Sequence, residues 1–279
     1  MLQIKAGDTL GTIIGRVAIT YPKNEAIVSG PHRITYEVLM DRVDSMANAL
    51  LKLGVKKNDK VAIWISNKPE WVYIHFACIK IGAPVVPLNT RYKAHELEYI
   101  LRQSDARVLF LMDSFINIDY PPMINEVCPE LKDSRPGDLE CKTVPCLKQV
   151  VMLSDSRYPG MLDFKDVLGS GKDYASSAAL KKAQEAVKPE DVYIIPFTSG
   201  TTGFPKGVVT TNYQYMRIME AVSARFNMSD KDRILVVSPF SHNMGNMTGM
   251  LLGACNGACI LPMEQFNPGE GLRLIHEEK

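Results

Sequence analysis

Five consecutive apolar residues, Val61-Ala62-Ile63-Trp64-Ile65, limit the fold more than any other stretch of this chain. A strand wetted on one face alternates polar and apolar side chains. A run without alternation fits a strand covered on both faces, as in a parallel sheet. Pro69 then opens a helix at the position where a missing N–H costs least. Trp71, Val72, Ile74, Phe76, Ala77, Cys78 and Ile79 make that helix apolar almost all round, which predicts burial. Gly82 stops it, and Val85-Val86-Pro87-Leu88 reads as a short strand. Leu97, Ile100 and Leu101 mark another helix, and Val108-Leu109-Phe110-Leu111 another strand. Strand alternating with helix predicts an α/β fold of layered, mainly parallel sheets flanked by helices.

The same rhythm resumes late in the chain. A helix is expected from Tyr213 to Phe226, a strand at Ile234-Leu235-Val236-Val237, a helix from Met244 to Ala254 and a strand at Ala258-Cys259-Ile260-Leu261. Asn267, Pro268 and Glu270 resemble a helix start. Upstream, Thr35 is a candidate N-cap for a helix whose buried face is Leu39, Val43, Met46, Leu50 and Leu53, ended by Gly54. Residues 1–30 read as irregular, with turn signals at Tyr21-Pro22-Lys23-Asn24 and Ser29-Gly30-Pro31. Residues 113–190 lose the rhythm: Pro121-Pro122, Pro136-Gly137 and Pro159-Gly160 punctuate them. Their expected elements are a strand at Val150-Val151-Met152-Leu153 and a surface helix from Ser177 to Val187. So irregular a stretch is uncommon inside a compact domain and reads as an insertion or a boundary. The expected division is a first α/β subdomain at 1–190 and the start of a second at 191–279.

Length and composition exclude several classes. The 279 residues can bury a large core. A formal net charge of +1 gives no basic excess of the kind that binds nucleic acid. No apolar run reaches the length of about eighteen residues that a membrane span needs, and the first residues lack the apolar core of a secretory signal. Cys78, Cys128, Cys141, Cys146, Cys255 and Cys259 form no C-x-x-C pair, so reduced thiols in a cytoplasmic protein are expected. Cys255 and Cys259 bracket a turn without a zinc-like partner pair, and no residue is singled out as a metal ligand.

The chemistry concentrates at Thr198-Ser199-Gly200-Thr201-Thr202-Gly203-Phe204-Pro205-Lys206-Gly207, entered from the apolar run Val192-Tyr193-Ile194-Ile195-Pro196-Phe197. Glycine lets backbone approach an anion closely, and successive N–H groups in such a turn form a concave anion site. Thr and Ser add hydroxyl donors, and Lys206 adds the loop's one charge. A Walker A loop is excluded, because Lys206 is followed by Gly207 and no Gly–Lys pair precedes a Ser or Thr.

This ten-residue order closely resembles the phosphate loop of the adenylate-forming superfamily, which includes acyl-CoA synthetases, firefly-type luciferases and the adenylation domains of nonribosomal peptide synthetases. The resemblance extends to Arg33-Ile34-Thr35-Tyr36, Asn67-Lys68-Pro69-Glu70-Trp71, Gly82-Ala83-Pro84-Val85-Val86-Pro87-Leu88-Asn89 and Pro239-Phe240-Ser241-His242, in the order and spacing of an acyl-CoA synthetase from about residue 10 onward. It implies that a carboxylic acid attacks the α-phosphate of ATP to give an acyl-adenylate and pyrophosphate, and that the acyl group then passes to coenzyme A. It implies a grip on the departing phosphates by Thr198, Ser199, Gly200, Thr201, Thr202 and Gly203, with Lys206 offsetting charge and Mg²⁺ accompanying the nucleotide. It also places His242, Asn243, Met244 and Met247 beside the acyl group and adenylate.

Residue by residue, two readings stay open. His242 is either a capping or packing histidine or a pocket residue. Met244, Met247 and Met250 recur every three residues and suit core and pocket equally. Asn212 departs from the family, many of whose members carry His there. The family's adenine-packing stretch, its Tyr-Gly-x-Thr-Glu element, its ribose-binding Asp and its small C-terminal domain with a Lys are expected beyond Lys279. The chain therefore reads as the front part of a large domain, inactive alone and prone to self-association, with a homo-oligomer or a complementing C-terminal half as partner. The rival readings are an amino-acid adenylation domain, and a non-catalytic or split-enzyme phosphate-binding module.

Overall fold

The computed structural model describes residues 4–198 and 205–278. Two larger sheets, of seven and four strands, carry the architecture, beside two two-stranded hairpins. The seven-stranded sheet is centred on Lys60–Trp64, with Val85–Pro87 parallel on one side and Ala106–Met112 parallel on the other. Gln149–Leu153 and Leu162–Asp163 extend it in parallel on the far side, and Val192–Ile194 joins beside Val85. Thr210–Thr211, antiparallel to Val192–Ile194, forms the other edge. The four-stranded sheet runs Arg233–Val236, Cys259–Pro262 and Glu25–Ser29 in parallel, with His32–Thr35 returning antiparallel at its edge. Continuous apolar runs thus become central parallel strands, as the sequence predicts.

Both sheets take strands from either side of residue 190. Val192–Ile194 is hydrogen-bonded to the strand at 85–87, and Glu25–Ser29 pairs with Cys259–Pro262. The expected division at 190/191 therefore lies within the hydrogen bonding of both sheets. Residues 113–190 supply two strands of the larger sheet, and their helix Phe164–Ser170 packs on the helix Tyr36–Lys52, so the segment is built into the core.

The helix Pro69–Ile81 is the most deeply buried: Trp71 through Ile79 are all inside. It packs against the helices Leu10–Thr20 and Tyr36–Lys52 and against the strands Lys60–Trp64 and Val85–Pro87. Its apolar circumference is the cause, since no face needs water. The expectation that 1–30 is irregular is corrected here. Leu10–Thr20 is a helix, started by a reciprocal cap in which the Thr12 amide donates to Thr9 Oγ1 (3.3 Å) and the Thr9 amide to Thr12 Oγ1 (2.9 Å). Leu10, Ile13, Ile14, Val17 and Ala18 form its buried stripe.

A second correction concerns 244–254. Met244–Leu251 is a π-helix and only Leu252–Asn256 is α-helical. Gly245, Gly249 and Gly253 hold this segment flush against the smaller sheet. A Cβ at Gly249 would stand 2.7 Å from Val236 Cγ1, and one at Gly253 2.8 Å from Ile260 Cγ1. A Cβ at Gly245 would stand 2.2 Å from the Pro239 carbonyl oxygen. No longer side chain fits such an approach.

Candidate functional site

Parallel strands deliver loops at their carboxyl ends, where α/β folds bind ligands. Three such ends meet at Asn67, three residues beyond the strand Lys60–Trp64 and just before the proline that opens the next helix. Asn67 is 3% exposed. Its Nδ2 donates to the Ser238 carbonyl (3.0 Å) and the Met263 carbonyl (2.9 Å), and its Oδ1 accepts from the Phe240 amide (2.7 Å). One side chain thus ties the larger sheet to the exits of two neighbouring strands of the smaller one, the edge strand Arg233–Val236 and Cys259–Pro262. Ser66 Oγ donates to Glu264 (2.5 Å) and Lys68 Nζ to the same carboxylate (3.1 Å), on the rim beside it.

The segment that Asn67 fixes, Ser238 to His242, is family-like in sequence. Phe240 turns inward, fully buried against Trp71 at 5.4 Å between ring centroids. His242 turns out and is exposed. Its Nδ1 accepts from the Met244 amide (3.3 Å) at the start of the π-helix. Asn243 is exposed, and its Oδ1 accepts from Tyr215 Oη (3.1 Å). The methionine stripe divides: Met244 is exposed at 60%, Met247 half-buried and Met250 wholly inside.

Behind these residues lies a polar chain that sequence reasoning did not find. Tyr193 Oη donates to Asn246 Oδ1 (2.9 Å) and stands 2.6 Å from His75 Nε2. A hydroxyl has one proton to give, so His75 Nε2 is the donor, and burial, which disfavours charge, keeps the ring neutral with Nδ1 unprotonated. His75 stacks on Trp71 at 4.7 Å and is completely buried. Burial pushes its pKa down to about 3. Trp71 Nε1, His75 Nδ1 and Asn246 Nδ2 have no hydrogen-bond partner among the described residues.

The sign of the pH effect follows. Unfolded, His75 takes a proton below about pH 6.5. Folded, it resists protonation down to about 3. Its contribution to stability is complete above the unfolded value and is lost as pH falls toward the folded one. From this residue alone, unfolding at pH 5 should cost about 2 kcal/mol less than at pH 7.5. Urea titrations at the two pH values should show a shallower dependence for His75→Gln, and an unchanged slope would contradict the assignment.

The phosphate-loop residues come next. Phe197–Thr198 pairs antiparallel with Lys206–Gly207, Thr198 opposite Lys206. Thr198 Oγ1 donates to the Lys206 carbonyl (3.4 Å), and the Val208 amide to the Pro196 carbonyl (2.9 Å). Gly207 lies over the Phe197 ring, where a Cβ would stand 3.1 Å from it. A closed hairpin base thus brings the two ends of the loop together. Ser199, Gly200, Thr201, Thr202 and Gly203 lie outside the described residues. Thr198 and Lys206 are exposed. Lys206 opens on a cleft of about 390 Å³, also lined by Lys60, Ser104, Asp105, Phe197 and Pro205. His242, Asn243, Met244 and Met247 are not among the residues that line that cleft. Asn212, the departure from the family, is 1% exposed. Its Oδ1 accepts from the Leu10 amide (3.3 Å) and its Nδ2 donates to the Asp191 carbonyl (3.2 Å), which is a structural post.

With this geometry in view, the chain can be compared with known proteins. The family model of AMP-binding enzymes matches residues 15–279. A Bacillus subtilis protein described as an acyl-CoA synthetase is 35% identical over 276 residues, covering 98% of this chain and 50% of that protein. The mitochondrial medium-chain acyl-CoA ligase of Mus musculus is 31% identical over 278 residues, covering 97% of this chain and 45% of that one. The crystal structure of an anthranilate CoA ligase in complex with anthranoyl-AMP superposes with a TM-score of 0.82 at 22% identity, over 97% of this chain and 48% of that one. That likeness carries the fold. The chain spans about half the length of the curated relatives it matches. Among the described residues no helix is long and apolar enough to cross a membrane.

Proposed function

The chain belongs to the AMP-binding enzyme family, and from that premise we propose that it carries the phosphate-gripping half of an ATP-dependent carboxylate–CoA ligase. The observation that carries the reading is the hairpin base, in which Thr198 and Lys206 stand opposite each other at the two ends of a loop with the family's phosphate-binding sequence.

In the proposed reaction a carboxylate oxygen attacks the α-phosphate of ATP, the bond to the bridging oxygen breaks, and pyrophosphate leaves. The carboxylate has an ordinary pKa of about 4 and is already ionised at neutral pH, so this step needs no general base. The protein's work is positioning and charge stabilisation. Ser199, Thr201 and Thr202 offer hydroxyl donors to the β- and γ-phosphates, Thr198 does so by giving up its 3.4 Å bond to the Lys206 carbonyl, Gly200 and Gly203 allow close backbone approach, and Lys206 sets a point cation against the departing charge. Mg²⁺ enters with the nucleotide as part of the substrate. The thiol of coenzyme A then attacks the acyl carbon and AMP leaves. His242, Asn243, Met244 and Met247 are assigned to the acyl and adenylate side, held in place through Asn67.

The printed names of the relatives, an acyl-CoA synthetase and a medium-chain acyl-CoA ligase, favour this over an amino-acid adenylation domain. So does the absence of an acidic residue at 240–243 to hold an amine. A second reading is a phosphate-binding module that needs a complementing half. ATP–pyrophosphate exchange with a panel of carboxylic acids, measured on the protein from its complete reading frame and on 1–279 alone, separates the two. A ligase gives acid-dependent exchange in the former; exchange in neither leaves the binding module.

A further inference from the structure

One cluster of metal-ligating side chains has no part in adenylation. Cys128 closes the helix Tyr120–Val127, Glu130 follows in the 3₁₀ helix Pro129–Asp133, and Cys141 comes from the loop that leads to the strand Gln149–Leu153. The two sulfurs and a Glu130 carboxylate oxygen all lie within 4.8 Å of one another. Cys128 Sγ is 3.7 Å from Glu130 Oε2, and Cys141 Sγ is 3.9 Å from the Val127 carbonyl oxygen. Both cysteines are buried, at 0% and 3% exposure, while Glu130 is half-buried and gives the cluster its opening to solvent.

These spacings are close to those of a coordination shell. With Zn–S of about 2.3 Å and Zn–O of about 2.0–2.2 Å, ligand atoms on a tetrahedral zinc stand roughly 3.5–3.8 Å apart. The Cys128–Glu130 separation already has that value, and the upper bound on the others exceeds it by about 1 Å, within reach of small side-chain rotations. The donor set also selects the ion. Two sulfurs with one carboxylate suit zinc, whereas Mg²⁺ prefers six oxygens in octahedral array. Backbone placement helps, because Cys128 and Glu130 are held two residues apart at a helix end and only Cys141 arrives from elsewhere.

We propose that Cys128, Glu130 and Cys141 form a zinc site that fastens the helical segment 120–133 to the loop preceding the strand Gln149–Leu153, with water as the fourth ligand. On loading, the two thiols release their protons to solvent and bind as thiolates, so two thiolates and a carboxylate face one dication. The site joins the two ends of the stretch 128–141 within the proline-broken segment 113–190.

Cys146 provides an internal control: it is exposed, lies outside the cluster and contacts Asp105 at 3.6 Å. The full chain, reduced and titrated with Co²⁺, should take up one equivalent with an intense thiolate-to-cobalt charge-transfer band. Zn²⁺ should displace it and Mg²⁺ should not. Cys146→Ser should behave like the parent. Cys128→Ser and Cys141→Ser should lose roughly a hundredfold or more in affinity, and Glu130→Gln roughly tenfold. Zn²⁺ should raise the Tm of the parent and of Cys146→Ser but not that of Cys141→Ser. If a cysteine variant fails to fold, Glu130→Gln carries the test. A reduced chain that takes up no Co²⁺, a band that persists in Cys141→Ser, or affinity unchanged in Glu130→Gln overturns the proposal.

Discussion

Lys206→Ala should lower carboxylate-dependent ATP–pyrophosphate exchange by ~10²–10³ while moving the unfolding midpoint little. Both halves follow from where the residue sits. Lys206 is exposed, and its structural contribution is main-chain: it pairs with Thr198 through the backbone and accepts the Thr198 hydroxyl on its carbonyl. Alanine preserves those contacts. What it removes is a positive charge at the mouth of the loop. If that charge acts on the pyrophosphate as it departs, the loss appears in kcat more than in KM for ATP. Lys206→Arg should recover only part of the rate, because a guanidinium spreads the charge that an ammonium concentrates. Near-normal exchange in Lys206→Ala would remove the lysine from the mechanism.

Asn67→Ala should destabilise the fold by about 3–5 kcal/mol. The side chain makes three hydrogen bonds, a part-buried one to the Ser238 carbonyl and two buried ones, to the Met263 carbonyl and from the Phe240 amide. Truncation leaves those three backbone groups without partners, and an unsatisfied buried group costs about 1–3 kcal/mol. Some water entry offsets part of the sum. Because the same bonds place the segment that ends in His242, exchange activity should fall at temperatures where the variant is still folded. Denaturant unfolding measures the first effect, and a loss below about 1 kcal/mol would show that the junction is held by packing instead.

The parts of the fold that could be read from sequence are those whose signal is local. The strand Lys60–Trp64 and the helix Pro69–Ile81 announce themselves because burial on most sides leaves long apolar runs with few polar positions. The helix Leu10–Thr20 has the right spacing and a Thr9 cap, yet Gly11 and Gly15 within it and the turn residues after it weaken the pattern. The π-helix Met244–Leu251 depends on how closely Gly245 and Gly249 meet Val236 and Pro239, which are tertiary contacts. Asn67 stands in a motif visible in the sequence, but its partners are 171 and 196 residues away, so its role as a clamp could not be read there. The buried chain His75–Tyr193–Asn246 spans 118 and 53 residues in the same way. The stretch 198–207 carries the family resemblance by composition and order alone. That Thr198 and Lys206 face each other needed the structure.

The central claim is that a carboxylate attacks the α-phosphate, and the fate of the carboxylate oxygen tests it most directly. The protein from its complete reading frame should be given ATP, Mg²⁺, coenzyme A and a carboxylic acid labelled in both oxygens with the heavy isotope, and the products weighed by mass spectrometry. Attack at the α-phosphate followed by acyl transfer places one labelled oxygen in AMP and leaves pyrophosphate unlabelled. Label in inorganic phosphate, or ADP formed with no label in AMP, would contradict the account.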